Sequence, residues 1–280
     1  MKLVPALDLI LEAQKNKKAV AAFNVENMET VQAVVRASFE SNTPVIIQTT
    51  PSSVKYAGLA AFYHNVLAAL EQIGSDVLVA LHLDHGSSFD LAVKAIRHGY
   101  SSVMIDGSLL SFEENVALTQ QVVAAAAPVG VSVEAELGNV GGKEDDLETE
   151  KNNLTDPAQA AEFAERTGTS TLAVAIGTAH GIYAGEPKLD LARLKEIRAA
   201  VKVPLILHGT SGVPDETVKQ CITIGMSKVN YATDLRVAFS DAVKKAIAEK
   251  PDGFDPKHYL GAGREAVYKR AMALIQVCNN

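Results

Sequence analysis

The chain has 280 residues, which suits one large domain or two small ones, and its 48% hydrophobic and 21% charged residues are ordinary for a soluble globular protein. No apolar run approaches the roughly 20 residues that span a membrane, and the net charge of −7 argues against nucleic acid or a membrane surface as partner. With only two cysteines there is no disulfide framework, so we expect a cytoplasmic protein.

Short segments rich in Val, Ile, Leu and Ala recur along the chain and alternate with segments of helical periodicity. Most of them are apolar throughout, as is typical of strands buried on both faces of a parallel sheet. The predicted strands are Val20–Asn24, Val45–Gln48, Val77–Asp84, Ser102–Asp106, Val131–Glu136, Leu172–Ile176, Leu205–His208 and Lys228–Asn230. The predicted helices are Glu29–Glu40, Leu59–Ile73, Phe89–His98, Glu113–Ala127, Pro157–Arg166, Leu189–Val201, Pro214–Ile224, Asp234–Lys250 and, outside the repeat, Gly261–Asn280.

Eight strands alternating with eight helices predict a (β/α)8 TIM barrel with an additional C-terminal helix, as a single domain over residues 1–280. A doubly wound open sheet is the alternative, but the first βα turn has no G-x-G-x-x-G motif. Two connections, Gly138–Leu154 and Gly177–Leu189, are unusually long and both follow strands. Because long βα loops on a barrel usually serve as lids or binding loops, we expect both on the active face.

Three histidines stand at or just past the ends of predicted strands, namely His85, His180 and His208. The carboxyl ends of parallel barrel strands meet at one rim, which carries the reactive groups of TIM-barrel enzymes. A lone histidine at such a position is usually an ordinary hydrogen-bonded residue. Three neutral imidazoles with an open fourth position are how proteins build a catalytic zinc site, so the three together predict one.

Carboxylates accompany these histidines. Asp84 either orients a ligand imidazole or acts as an acid/base over the metal. Glu134 and Glu136 share one strand face, which indicates a second ion position or, alternatively, a polar barrel layer paired with lysine or arginine. Glu144 lies in the glycine-rich acidic loop, where it is either part of a solvated surface or a carboxylate delivered to the site by a mobile loop.

Two segments with glycine or hydroxyl side chains, His208–Gly212 and Asn230–Thr233, follow the last two predicted strands. These two loops most often hold a phosphate in TIM barrels. Glycine lets the backbone approach a phosphate closely, and N–H groups and hydroxyls donate to it. Either segment alone is better explained as a turn with a helix cap, but both together on a barrel predict a phosphate site.

These motifs resemble those of the class II, zinc-dependent ketose-bisphosphate aldolases, and the resemblance runs nearly end to end. The chain resembles the tagatose-1,6-bisphosphate aldolases most, and the fructose-1,6-bisphosphate aldolases next. The segments that carry it are 22–25 (AFNV), 82–85 (HLDH), 132–138 (SVEAELG), 141–146 (GGKEDD), 172–181 (LAVAIGTAHG), 207–212 (LHGTSG) and 228–233 (KVNYAT).

The resemblance implies that His85, His180 and His208 bind Zn2+, which acts as a Lewis acid. It implies that Asp84 takes the C4 hydroxyl proton in cleavage and that Glu144 then protonates the carbanion. The substrate would be a ketose 1-phosphate or 1,6-bisphosphate, with tagatose 1,6-bisphosphate as the leading candidate. The products would be dihydroxyacetone phosphate and a three-carbon aldehyde.

Further positions follow from the same resemblance. Asp106 and Glu136 match residues near an alternative metal site, and a monovalent cation, Na+ or K+, is common near the phosphate loops of the family. Arg264 matches an arginine that reaches a neighbouring subunit's pocket, so a homodimer or homotetramer is expected. The residues expected to bind substrate are Asn24, Thr50, Gly181, Gly209, Thr210, Ser211, Asn230, Tyr231, Ala232, Thr233 and Arg264.

Some positions depart from the family pattern. Lys143 stands where many members carry Gln or Glu, residues 50–53 read TPSS rather than TPGT, Tyr231 replaces a smaller aliphatic residue and Thr210 replaces Ala or Gly. These departures leave the sugar and its distal group open. Fructose 1,6-bisphosphate and a ketose 1-phosphate with another distal anion, such as 6-sulfofructose 1-phosphate, are the alternatives, and a helper protein is a further option.

Two other function classes compete with an aldolase. Barrel metallohydrolases usually take an H-x-H pair from the first strand, whereas this strand ends in Phe23 and Asn24. A non-catalytic accessory subunit would have no need of intact histidines together with Asp84 and Glu144. The residues therefore favour the aldolase.

Overall fold

The computed structural model describes residues 3–74, 77–144, 147–149, 153–183 and 185–279, with the backbone alone for 143, 144 and 147–149. Within these ranges the strands are β1 (Val20–Asn24), β2 (Val45–Thr49), β3 (Val79–Gly86), β4 (Ser102–Ile105), β5 (Ser132–Leu137), β6 (Gly141–Glu144), β7 (Leu147–Thr149), β8 (Thr171–Val174), β9 (Ala179–His180), β10 (Leu205–Leu207) and β11 (Met226–Tyr231). The α-helices are α1 (Ala6–Lys15), α2 (Met28–Glu40), α3 (Pro51–Ala57), α4 (Leu59–Ile73), α5 (Phe89–Arg97), α6 (Phe112–Ala126), α7 (Pro157–Thr167), α8 (Leu191–Ala200), α9 (Asp215–Ile224), α10 (Thr233–Glu249) and α11 (Pro256–Asn279).

Eight parallel strands close into a barrel in the order β1-β2-β3-β4-β5-β8-β10-β11, which confirms the predicted TIM-barrel fold. The additional C-terminal helix is also confirmed, as α11, which begins at Pro256 rather than Gly261 and packs against α10 and α2. None of the helices in the described part of the chain combines the length and apolarity that a membrane crossing requires.

The strand residues that point out of the barrel are apolar and form the main core with the surrounding helices. Phe23, Leu81 and Val103 belong to this core and are fully buried. Because side chains alternate along a strand, the neighbouring positions point into the barrel. The outward positions therefore have to be apolar, whereas the inward positions can carry polar side chains.

Helix α1 closes the amino-terminal end of the barrel, and it is an element that the sequence analysis missed. Its Leu9 and Ile10 pack against inward-pointing strand residues such as Ile46 and Ile206 in a second, smaller core. The signal was present in the sequence, because apolar residues at positions 6, 9, 10 and 13 form one helical stripe. With this end filled, the open end of the barrel is the one where the strands finish.

The barrel interior changes from apolar to polar along the strand direction. On β3 the inward positions run Ala80, His82 and Asp84, and all three side chains are buried. On β1 and β2 the inward positions likewise end in polar groups, Asn24 and Gln48, which are register partners. The core below therefore supports a buried layer of hydrogen-bonding and ionisable side chains at the carboxyl ends of the strands.

The two long loops contain structure that the sequence analysis did not predict. Strands β6 and β7 are antiparallel, and β6 pairs in parallel with β9, so that a three-stranded sheet β7-β6-β9 lies beside the barrel. Helix α3, with Thr50 as its N-cap, was also missed. The predicted barrel strands and the helices between them match the observed elements within two residues at nearly every boundary.

Substituting Leu9→Ala is expected to lower the free energy of unfolding by about 2–5 kcal/mol, because the Leu9 side chain is 5% exposed within the closed end of the barrel. Leu11→Ala on the same helix is the matched control. Leu11 is 45% exposed, so its loss should cost less than about 0.5 kcal/mol. Urea denaturation followed by circular dichroism measures both, and equal losses would contradict a packed end.

Candidate active site

Three imidazoles meet at the open end of the barrel. His85 lies in β3, His180 in β9, and His208 immediately after β10. The ring centroid of His85 lies 4.8 Å from that of His208 and 5.1 Å from that of His180. One nitrogen from each ring lies within 4.8 Å of the other two. The structure thus brings together the three histidines that the sequence predicted to converge.

Carboxylates fix which ring nitrogen of His85 and His208 faces the centre of this cluster. Asp106 Oδ2 lies 2.7 Å from His85 Nδ1, and Glu134 Oε1 lies 2.8 Å from His208 Nε2. An ionised carboxylate only accepts hydrogen bonds, so these two nitrogens carry the hydrogens. The remaining nitrogens, His85 Nε2 and His208 Nδ1, face each other 2.9 Å apart, and Glu136 Oε2 lies 3.5 Å from His208 Nδ1.

This donor set fits a zinc ion. When both rings are neutral with their hydrogens on the carboxylate side, each of these nitrogens presents a lone pair to the other, and a cation between them stabilises that arrangement. Tetrahedral coordination with Zn–N bonds of 2.0–2.1 Å separates neighbouring nitrogens by about 3.3 Å, close to the spacing here. Carboxylates behind the ligand imidazoles are the usual support of a zinc histidine. His85, Asp106 and Glu136 form a second group of potential ligand atoms within 4.8 Å.

Asp106 is held as an anion. Burial alone would raise the pKa of Asp106, but the hydrogen bond and attraction of His85 outweigh burial and lower the pKa to about 2. The Ser108 N–H also donates to Asp106 Oδ1 at 2.9 Å. Its contacts therefore make Asp106 the group that orients His85, whether or not it also contacts an ion.

A buried ion pair lies beneath the histidines. Lys228 Nζ is 2.9 Å from Glu134 Oε2, and both side chains are buried inside the barrel. Burial alone would raise the pKa of Glu134, yet Lys228 and the hydrogen bond from His208 hold it well below its usual range. For Glu134 the structure therefore shows the alternative considered above, a polar barrel layer paired with lysine, and this pair anchors His208.

His82 packs in the same layer as a neutral residue. Its Nδ1 lies 2.8 Å from Ser102 Oγ, and complete burial beside Lys228 holds the pKa of His82 well below its usual value. His82 is therefore a packed neighbour of the site and not a member of the histidine cluster.

Asp84 is surrounded by amide groups. Its Oδ2 accepts hydrogen bonds from Asn24 Nδ2 at 2.8 Å and from Gln48 Nε2 at 3.1 Å, while Oδ1 accepts one from Asn230 Nδ2 at 3.2 Å. These donors hold the carboxylate in one orientation without bringing a positive charge to it. Gln48 was missed by the sequence analysis, although its place at the inward end of a predicted strand was the available signal.

A pocket beside His180 collects most of the residues expected to bind substrate. The α10 helix begins here at Thr233, its N-cap residue Ala232 has no side chain that could cap it, and the Asp234 N–H in its first turn donates to Ser211 Oγ at 3.2 Å. Such a helix start favours an anion. The lining residues are Asn24, His180, Gly181, Gly209, Thr210, Ser211, Asn230, Ala232, Thr233 and Arg236.

Three residues expected at the substrate do not line this pocket. The Thr50 side chain caps α3. The Tyr231 side chain points out of the barrel, where its ring stacks on Phe23, because inward Asn230 forces the next residue outward. The Tyr231 side chain therefore does not face the pocket, which leaves its backbone for the predicted contact with substrate. Arg264 donates to Gln32 at 2.7 Å in a separate groove between α2, α4 and α11.

Arg236 lines the pocket and was missed by the sequence analysis. It lies three residues after Thr233 on α10, hence on the same helix face, and that spacing after a predicted phosphate loop was the available signal. Arg236 Nη2 lies 2.6 Å from Glu26 Oε1, and Ser53 Oγ donates to Glu26 Oε2 at 2.6 Å. The guanidinium is thus fixed at the edge of the pocket.

The strand that contains Glu144 is hydrogen-bonded to the strand that contains His180. Gly142 is the register partner of His180 in the β6–β9 pair. Gly142 has φ +95°, and a Cβ there would lie 2.3 Å from the His180 carbonyl oxygen, so only glycine allows this approach. The Glu144 side chain, expected to be catalytic, lies outside the described part of the structure.

Comparisons with known proteins agree with this geometry. The family model of class-II fructose-bisphosphate aldolase matches residues 4–280. The chain belongs to this aldolase family. The YdjI aldolase from Escherichia coli K12 is 37% identical, with coverage of 99% of this chain and 97% of that chain and a TM-score of 0.86. Fructose-bisphosphate aldolase from Campylobacter jejuni is 25% identical, with coverage of 99% and 96% and a TM-score of 0.83.

Membership of the class II aldolases identifies the protein as a lyase that makes and breaks carbon–carbon bonds. The pocket, the histidine cluster and Asp84 all lie at the carboxyl ends of the barrel strands, where TIM-barrel enzymes place their active sites. This cluster is therefore the candidate active site of the aldolase.

In this aldolase, Gly142→Ala is expected to weaken divalent metal binding at least tenfold, because the new methyl group would push the His180 backbone away from the other two histidines. Metal affinity can be measured by competition with a chromogenic chelator. Gly185→Ala is the matched control, since a Cβ at Gly185 meets nothing within 4 Å. Unchanged metal affinity in Gly142→Ala would contradict the coupling of β6 to His180.

Proposed function

We propose that this class II aldolase is a zinc-dependent enzyme that reversibly cleaves a ketose 1-phosphate or ketose 1,6-bisphosphate to dihydroxyacetone phosphate and an aldehyde. The observation that carries the proposal is the convergence of three imidazoles next to a pocket that suits a phosphate. Asp84, held by amides on the adjoining strands, supplies a base within the same rim.

His85 through Nε2, His208 through Nδ1 and His180 would hold the zinc ion, which supplies Lewis-acid stabilisation of the negative charge that develops next to the broken bond. Asp106 and Glu134 keep two of these rings in the required orientation. By the family resemblance, Asp106 and Glu136 would also border an alternative metal position, and a Na+ or K+ ion would bind near the phosphate loops.

The phosphate would bind at the start of α10. Backbone N–H groups of Gly181, Gly209 and the helix start would donate to its oxygens, and the Thr233 hydroxyl and Arg236 guanidinium line the same pocket. This binding energy fixes the dihydroxyacetone half of the substrate beside the histidines.

Asp84 would remove the proton from the C4 hydroxyl as the C3–C4 bond breaks. Its three amide partners orient the carboxylate, and because a neutral amide neither gives up its proton nor acts as a competing base, Asp84 stays free to accept the proton. Glu144 would then deliver a proton to the carbon that was left with the electron pair. The pairing of β6 with β9 supports this role, because it ties the Glu144 backbone to the strand of His180.

The motif resemblance favours tagatose 1,6-bisphosphate as the substrate, with fructose 1,6-bisphosphate and 6-sulfofructose 1-phosphate as alternatives. Arg264 would bind the distal anion in the pocket of a neighbouring subunit within a homodimer or homotetramer. Its position in a groove apart from the pocket is compatible with a role in another subunit. A cytoplasmic location completes the proposal.

A Schiff-base mechanism requires a lysine that can reach the carbonyl. Lys228 lies inside the barrel, but its ammonium group is fully buried and paired with Glu134. That pairing supports metal-dependent chemistry over imine chemistry at this residue.

The deciding experiment is a cleavage assay on zinc-loaded protein, with dihydroxyacetone phosphate detected through a coupled dehydrogenase. The substrates are tagatose 1,6-bisphosphate, fructose 1,6-bisphosphate, fructose 1-phosphate and 6-sulfofructose 1-phosphate. We expect release from at least one, its abolition by EDTA and its return with zinc. Inactivation by borohydride in the presence of substrate would instead indicate a Schiff base, and phosphate release without carbon–carbon cleavage would indicate a hydrolase.

Asp84→Asn is expected to lower kcat by about 10²–10⁴-fold, because it removes the proton acceptor while preserving the shape of the side chain. Zinc content measured by mass spectrometry should remain unchanged, since Asp84 bonds to amides rather than to the histidines in the structure. The control is Asp90→Asn, which alters an exposed ion pair with Lys94 on α5. Retained kcat in Asp84→Asn would place the base elsewhere.

A further inference from the structure

The side chain of Tyr183 joins two loops that come from different strands. Its hydroxyl accepts a hydrogen bond from the Ala179 N–H at 2.7 Å and donates one to the Gly209 carbonyl at 2.7 Å. Ala179 directly precedes His180, and Gly209 directly follows His208. One hydroxyl therefore bonds to the chain neighbours of two of the three converging histidines.

The two loops are already in close contact where the hydroxyl bridges them. Gly209 has φ +64°, and a Cβ at this position would lie 2.7 Å from the Ala179 carbonyl oxygen. Such an approach leaves no room for a side chain between the backbones. The Tyr183 ring belongs to the His180 loop and packs against the main core, and a Cβ at Gly212 of the His208 loop would lie 3.4 Å from it. Without the hydroxyl, an N–H and a carbonyl would lose their partner at this contact.

The bridged residues also border the pocket that suits a phosphate. Gly209 lines this pocket together with Gly181, which follows His180. A shift of either loop would therefore move a histidine and a phosphate-binding backbone group at the same time. The distance between the two loops therefore affects both the histidine cluster and the pocket that suits a phosphate.

We infer that Tyr183 is a positioning residue that sets the distance between the His180 and His208 loops, and thereby both zinc affinity and phosphate binding. The inference rests on the proposed function, because it assumes that these histidines hold zinc and that the pocket holds the substrate phosphate. Tyr183 does not line the pocket, and its hydroxyl bonds to backbone groups rather than to an imidazole. Its effect is transmitted through the Ala179 and Gly209 backbones.

Tyr183→Phe removes both hydrogen bonds and keeps the ring. We expect zinc affinity, measured by competition with a chromogenic chelator, to fall 10–100-fold, as is typical when a group that orients a metal ligand is lost. At saturating zinc, KM for the preferred ketose phosphate should rise at least fivefold. Under the same conditions kcat should stay within about threefold of the wild-type value, because Asp84 is untouched.

The matched control is Tyr100→Phe. The Tyr100 side chain is buried, and its hydroxyl lies 3.0 Å from Thr49 Oγ1, so this variant also loses a buried hydrogen bond. Tyr100 does not line the pocket. We expect a lower Tm in both variants but a change of zinc affinity in Tyr183→Phe alone. Tyr183→Leu, which removes the ring as well, separates the contribution of the hydroxyl from that of packing.

Wild-type zinc affinity and KM in Tyr183→Phe would overturn the inference, as would a loss that appears only in Tyr183→Leu. An equal fall of zinc affinity in Tyr100→Phe would show that general destabilisation causes the loss, and this result would also overturn the inference. The proposed function fails separately. If wild-type protein binds zinc but cleaves no ketose phosphate, the proposed activity is wrong, and zinc affinity alone still decides the role of Tyr183. If wild-type protein binds no zinc, both proposals fail.

Discussion

The candidate active site depends on one buried charge interaction, the pairing of Glu134 with Lys228 inside the barrel. Two buried charges are costly to remove from water, and here each is compensated by the other. The ionised Glu134 accepts the hydrogen of His208 Nε2 and turns its Nδ1 toward His85. Asp106 does the same for His85 from the other side. The directions in which His85 Nε2 and His208 Nδ1 point are therefore decided by carboxylates below and beside the histidine cluster.

The barrel can contain this buried polar layer because other strand positions supply the apolar packing that stabilises the fold. Outward strand positions pack against helices, and inward positions at the amino-terminal end pack against α1. The inward positions at the other end are then free to be polar, as the change from Ala80 to His82 and Asp84 on one strand shows. Stability and chemistry thus occupy different sides and different ends of the same eight strands.

Local patterns were enough to predict the barrel and the meeting of its histidines, because apolar strands and helical periodicity are short-range signals. Helix α1 was missed although its stripe is visible, since its purpose appears only when the barrel has an end to close. The ring orientations of His85 and His208 were not predictable, because they depend on residues far away in the sequence. The outward direction of the Tyr231 ring was not predictable either, because a motif match does not say which way a side chain points.

The parallel pairing of β6 with β9 joins the two long loops through backbone hydrogen bonds, so that one cannot move without the other. Recombination or loop grafting that replaced residues 138–154 alone would break the register between Gly142 and His180, and with it the position of one histidine of the cluster on another loop. A change of substrate range through these loops therefore has to exchange both segments together, with the glycine retained. In this chain the loop that contains Glu144 and the loop that contains His180 therefore form one exchangeable unit.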